Sequence, residues 1–132
     1  IIGQREAMQV VQTPFPEYER LDNGAASDTP LIRIRGSGQS LYGDYMGGDI
    51  AETVIRTDRP ELPNALIFGD SFTNPVECLA YYSFNELRSV DLRHYTVQSL
   101  SDYIAAYQPD VVLCVRDYQS LLLREFNGDF FS

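Results

Sequence analysis

Three short apolar runs, separated by helix signals, constrain this chain more than any other feature. "ALIF" (Ala65 to Phe68), "SVDLR" (Ser89 to Arg93) and "DVVLCV" (Asp110 to Val115) read as strands. After the first, Asn74-Pro75-Val76-Glu77 reads as a helix start, with Asn at the N-cap, Pro at the first helical position and Glu closing a capping box. That helix carries Val76, Leu79, Ala80, Tyr82 and Ser83 toward Leu87. Before the third run, Ser99 to Gln108 places Leu100, Tyr103, Ile104 and Tyr107 on one helical face. Strand, helix, strand, helix, strand predicts α/β architecture: a parallel sheet with right-handed crossovers, in three layers. The unbroken apolar stretch of "DVVLCV" predicts burial on both faces.

The remainder is less regular. Residues 1 to 30 hold three prolines, an Asn-Gly turn and a Gly-Ala-Ala-Ser-Asp run, and read as an irregular N-terminal extension with one short strand near Met8 to Val11. Residues 31 to 132 form the α/β domain. "LIRIR" (Leu31 to Arg35) alternates like a half-exposed strand. "SLYGDYMGGDI" reads as a loop or bulged hairpin, "AETVIRT" as a short helix or strand, and Leu121 to Phe126 as a final helix.

At 132 residues the chain fits one domain with a real core. It starts at Ile1 rather than Met, which reads as a processed or excised segment of a longer parent. No apolar stretch approaches the roughly 20 residues of a membrane span. The net charge of −9 argues against a nucleic-acid partner, whose backbone requires clustered cations. Every basic side chain other than His94 is Arg, and Arg33, Arg35, Arg93 and Arg116 could each fork onto a carboxylate or phosphate. Cys78 and Cys114 fall in a helix and a buried strand, as small apolar residues rather than a bridge. With His94 the sole imidazole, a structural zinc site has no ligand set; no metal and no cofactor are expected.

In a parallel sheet, the carboxyl ends of the strands form the ligand-facing edge. Here those ends carry Gly69-Asp70-Ser71, Arg93-His94-Tyr95 and Arg116-Asp117-Tyr118. Gly69 permits a sharp turn, and Ser71 stands just before a helix, where free backbone N–H groups favour an oxyanion. Asp70 and Ser71 also suit a plain tight connection. The paired glycines of Met46-Gly47-Gly48-Asp49 allow close approach, either to line the Ser71 pocket and lend an N–H or simply to turn the chain.

"LIFGDSF" resembles the Gly-Asp-Ser block of the SGNH hydrolases, flavodoxin-like esterases and polysaccharide acetyl-transfer proteins. Taken in order, "YGDYMGGDI", "ALIFGDSF", "VDLRHY" and "PDVVLCV" resemble the C-terminal half of the DHHW-type branch, which is related to the alginate-acetylation proteins. The resemblance implies a flavodoxin-like fold, Ser71 in the nucleophile's place, and an O-acyl esterase or acetyltransferase acting on carbohydrate. It also implies an extracytoplasmic or cell-surface location.

The departures from that family are equally clear. No His precedes Ser71 and the chain has no Trp, so the upstream Asp-His-x-Trp segment is missing. The Gly-x-Asn-Asp block is replaced by Arg116-Asp117-Tyr118-Gln119. A triad therefore needs His94 or a parent segment that supplies Asp and His, and the chain as it stands reads as incomplete or inactive. Asp91-Leu92-Arg93-His94 spells Asp-x-x-His, but on a strand the two ends would face opposite sides. The site expected is thus Ser71 and His94 for catalysis, with Gly48, Asp70, Phe72, Arg93, Tyr95 and Arg116 around the oxyanion or substrate. The alternative is a non-catalytic glycan- or protein-binding module gripping its ligand through Tyr45, Arg93, Tyr95, Arg116 and Tyr118.

Overall fold

A computed structural model describes residues 15–33, 41–122 and 130. Six strands form one sheet: β1 (Glu19–Asp22), β2 (Ala25–Ala26), β3 (Glu52–Arg56), β4 (Ala65–Gly69), β5 (Glu86–Asp91) and β6 (Val111–Val115). Their order is β2-β1-β3-β5-β4-β6. The parallel pattern expected between 65 and 115 holds for β5-β4-β6, with β4 central. β1, β2 and β3 continue the sheet antiparallel, so the whole is mixed.

Two strands come from the stretch read as irregular. Asn23 and Gly24 both have positive φ (50° and 81°), and they join Asp22 to Ala25 as a two-residue hairpin. β1 then pairs with β3, which settles "AETVIRT" as a strand. Leu31 to Arg35 does not make the strand expected over its described part: Ile32 forms an isolated bridge to Tyr45, while Leu31 is buried against the core. The strand suggested near Met8 to Val11 lies outside the described residues.

Two clusters sandwich the sheet. On one face, Ala65, Ile67 and Leu87 pack with Cys78 and Tyr81, from helix α1 (Asn74–Ala80) and the single 3-10 turn that follows it. On the other, Leu66 and Val90 pack with Leu100 and Tyr103 of helix α2 (Leu100–Tyr107). The apolar stripe expected on α2 is present, since Ile104 and Tyr107 border the same cluster. Ser99 caps this helix by accepting from the Asp102 N–H, and Gln108 closes it in the left-handed conformation. Helix α3 (Tyr118–Leu122) begins earlier than expected, and positions 123 to 126 lie outside the described residues.

β6 departs from the expected double burial. It is the outer strand, its residues alternate between half-buried and exposed, and Val112 and Cys114 face solvent. An unbroken apolar run cannot tell a strand between two neighbours from one with a single neighbour; the alternation of exposure here does.

Candidate functional site

β4 ends at Gly69 because nothing larger fits. A Cβ there would lie 1.8 Å from the Val115 carbonyl oxygen and 3.1 Å from Arg116 Cγ. The backbones of β4 and β6 therefore close tightly at the carboxyl edge, with half-buried Arg116 packed beside them. Asp70 locks this junction. Its buried carboxylate accepts from Phe72 N–H at 3.0 Å and from Asp117 N–H at 2.9 Å, while its carbonyl accepts from Thr73 N–H. The ends of β4 and β6 are tied through one side chain, and Asp70 acts as a latch, not as an oxyanion donor.

Ser71 opens a 3-10 turn, Ser71–Thr73, that leads into α1. Its backbone N–H has no acceptor among the described residues, whereas those of Phe72 and Thr73 are already held by Asp70. The turn after Ser71 thus leaves one backbone donor for an oxyanion, fewer than the sequence suggested. Phe72 is 58 % exposed.

The helix start also differs. Thr73, not Asn74, is the N-cap of α1, because the 3-10 turn absorbs the preceding residues and leaves Asn74 already helical. The Asn74 amide reaches instead to Gly48 O and Asp49 Oδ1, each at 3.3 Å. Glu77 turns inward rather than back to the cap, accepting from Ser89 Oγ at 2.5 Å, and its burial pushes its pKa up.

Asn74 therefore fastens the glycine-rich loop to the serine turn. Arg20, wholly buried, holds the same loop from below, donating to Met46 O at 2.7 Å, Thr29 O at 3.0 Å and Asp22 Oδ1 at 2.9 Å. Met46, Gly47 and Gly48 all have positive φ. A side chain at Gly47 would strike Thr29, which is why the loop can lie so close. Gly48 gives its N–H to Tyr45 O at 3.3 Å, so that donor is committed within the loop.

The loop also carries Tyr42, on the 3-10 turn Tyr42–Asp44, whose Asp44 accepts from Leu41 N–H. The phenol of Tyr42 interacts with Ser71 and lies in the field of Asp49, Asp70 and Arg93. Burial, aided by the two carboxylates, raises its pKa above the ordinary value against the opposing pull of Ser71 and Arg93.

β5 ends at Asp91, two residues earlier than expected, and the chain turns through Leu92 to His94. The alternation that would send Asp91 and His94 to opposite faces ends with the strand. Ligand atoms of Asp49, Asp91 and His94 all lie within 4.8 Å of one another. Arg93 occupies the cationic role among them. Its Nη2 lies 2.9 Å from Asp49 Oδ2 and 2.5 Å from Asp91 Oδ2, and its Nε donates to Asp91 Oδ1. Two carboxylates and an imidazole could hold a metal ion, but the guanidinium already answers their charge.

Among the residues expected at the site, Gly48, Asp70, Ser71, Phe72 and Arg93 belong to this junction of loop and turn. His94 stands by the Arg93 ion pairs, and no hydrogen bond joins it to Ser71. Tyr95 packs its ring on Tyr103, centroids 5.6 Å apart, and so belongs to the α2 side. Tyr45 is half-buried against Tyr42, and Tyr118 is exposed. Tyr42, Asp49 and Asn74 are additions. The "YGDYMGGDI" segment marked the loop, but no periodicity within it could say which side chain meets the serine.

Solved structures share the fold. Bacillus cereus PatB1, in a structure with a sulfonyl adduct, superposes with a TM-score of 0.67 at 22% identity, over 89% of this chain and 41% of that one. A DHHW family protein from Eubacterium siraeum gives 0.70 at 21% identity, over 90% of this chain and 43% of that one. The fold is the one found in DHHW-type proteins. A further PatB1 structure matches with a TM-score of 0.63 at 24% identity, over 82% of this chain and 37% of that chain. The chain spans about two-fifths of the length of these structures. No family model and no curated protein matches it. Among the described residues, no helix is long and apolar enough to cross a membrane.

Proposed function

We propose that this DHHW-like domain forms the serine half of an O-acyl esterase or acetyltransferase acting on carbohydrate, in an extracytoplasmic setting. The observation that carries the reading is the placement of Ser71. It follows a backbone junction that tolerates only glycine, it is anchored by the buried Asp70 latch, and its backbone N–H, at the carboxyl edge of the sheet, has no acceptor among the described residues. Ser71 Oγ would attack the acyl carbonyl carbon, and its N–H would donate to the oxygen that gains the electron pair. The acyl group then passes to water or to a sugar hydroxyl.

The activating base is an imidazole brought by a further polypeptide segment, because His94 lies within 4.8 Å of Asp49 and Asp91 and makes no hydrogen bond to Ser71. The isolated chain should accordingly show no p-nitrophenyl acetate turnover above background. A fluorophosphonate should label Ser71 slowly at alkaline pH, driven by solvent base, with labelling lost in Ser71→Ala and unchanged in His94→Asn. Loss of labelling in His94→Asn would place the base within this chain. Absence of labelling in the unmodified chain would overturn the nucleophile assignment and favour the non-catalytic binding module.

A further inference from the structure

We propose that a cleft at the opposite edge of the sheet from Ser71 binds an organic polycation, a molecule carrying two or more spaced primary ammonium groups.

β3 runs antiparallel to both β1 and β5, so the end of β3 and the starts of β1 and β5 meet at that edge. Glu19, Arg56 and Glu86 stand there in one cross-strand row, with Arg56 in the middle. Arg56 Nε donates to Glu86 Oε2 at 2.6 Å and Nη1 to Glu19 Oε2 at 3.3 Å. Together with Glu17, Thr57, Asp58 and Asn85, this row lines a cleft of about 680 Å³. Two further cavities lined by described residues hold about 200 and 230 Å³. Both fall below the ~300 Å³ at which small-molecule sites ordinarily begin, and the cleft does not.

The chemistry of the walls selects the ligand. Thr57 Oγ1 is given to Phe84 O at 2.7 Å, while the Asn85 side chain donates to Asn64 Oδ1 and accepts from Arg59 N–H. The Arg59 guanidinium turns away from the cleft, to Thr57 Oγ1, Tyr81 O and Phe84 O. Arg56 is committed to its two carboxylates. What remains accepts only: Glu17 and Asp58 are exposed and their side chains have no hydrogen bond or ion pair among the described residues. Four carboxylates against one guanidinium repel phosphates and uronates and attract cations. A single metal ion does not fit. Among the described residues only Asp49, Asp91 and His94 bring three ligand atoms within 4.8 Å of one another, so no three of the cleft's carboxylates converge on one point. Separated acceptors call for separated donors on one molecule, and each primary ammonium brings three N–H donors with its charge.

The test is a titration of the full chain with spermidine at low ionic strength, followed by amide NMR shifts. Saturable shifts should gather at residues 17–19, 56–58 and 85–86. Glu17→Gln and Asp58→Asn should each weaken binding about fivefold, the worth of one exposed ion pair. Asn tolerates the left-handed backbone of Asp58, whose φ is 52°, so that variant keeps the local fold. Asp28→Asn, which removes an exposed carboxylate outside the cleft, should leave binding unchanged. A glucosamine trimer with free amines offers the same group on a sugar chain. Binding of either compound supports the site, and the tighter one names its source, a free polyamine or an amino-glycan. No saturable shift with either would overturn the proposal. So would equal binding of fully N-acetylated spermidine, the same shifts with magnesium chloride, or an Asp28→Asn loss as large as that of Glu17→Gln. None of these outcomes bears on the labelling of Ser71, so the two assignments fail separately.

Discussion

Arg93 joins two carboxylates that lie far apart in sequence: Asp49 in the glycine-rich loop, at 2.9 Å, and Asp91 at the end of β5, at 2.5 Å. Through this fork the loop that carries Tyr42 is referenced to the sheet rather than to solvent. The guanidinium is held charged chiefly by its hydrogen bonds to Asp91. Replacing Arg93 with Gln strands the buried Asp91 carboxylate and releases Asp49. We expect a loss of about 2 kcal/mol, below the 3–5 typical of a fully buried pair because Arg93 is partly exposed. Urea unfolding gives the stability, and amide exchange over residues 46–49 should rise; unchanged exchange there would show that Asn74 and Arg20 hold the loop without Arg93.

Asp70 serves two strand ends at once. Asp70→Ala leaves the N–H groups of Phe72 and Asp117 unpaired at the junction and should cost about 3 kcal/mol, whereas Asp70→Asn retains one good acceptor and should cost less. Thermal unfolding of the two variants gives the comparison, and equal losses would argue against the two-acceptor latch.

Gly69 has no tolerated replacement. Even Ala would put a methyl group into the Val115 carbonyl, against backbone that cannot swing away. Gly69→Ala is predicted to cost about 4 kcal/mol or more, with β6 the first element to lose amide protection. A well-folded Ala variant with β6 protected would refute the close approach.

Glu77 gives the fold a pH signature. Burial raises its pKa in the folded state, so the folded chain binds that proton more tightly than the unfolded chain does. Its contribution to stability is complete below the ordinary carboxylate range and is lost as pH rises through that range toward the raised value. Glu77→Gln keeps a neutral partner for Ser89 and removes the titration. The stability difference between Glu77→Gln and the unmodified protein should therefore widen in favour of the variant as pH climbs from 4 to neutrality. Parallel curves would show that Glu77 ionises normally.

The β4–α1–β5–α2–β6 order was legible because each element has its own local signal: apolar runs, the Pro75 helix entry, and the stripe from Leu100 to Tyr107. Boundaries were harder to read wherever a side chain chose a distant partner over a local one. Asn74 has the chemistry of a cap, yet the loop at Gly48 and Asp49 claims its amide. Glu77 stands where a capping box would use it, yet Ser89 on β5 takes it inward. The hairpin at Asn23-Gly24 was visible as a turn, but the partner strand, β3, lies some thirty residues onward. Ser71 could be found from its flanking Gly69 and Asp70. Tyr42 could not, because its meeting with Ser71 depends on Arg20, Arg93 and Asn74 folding the loop back.

Among the described residues no strand pairs with the outer edge of β6, and this has a practical consequence. Val111 to Val115 includes no charge and no proline, the devices that ordinarily keep a sheet's outermost member from recruiting foreign backbone. Handled by itself at high concentration, this polypeptide should be sticky along that margin before it is sticky anywhere else. A lysine in place of Val112 is the cheapest way to keep it in solution.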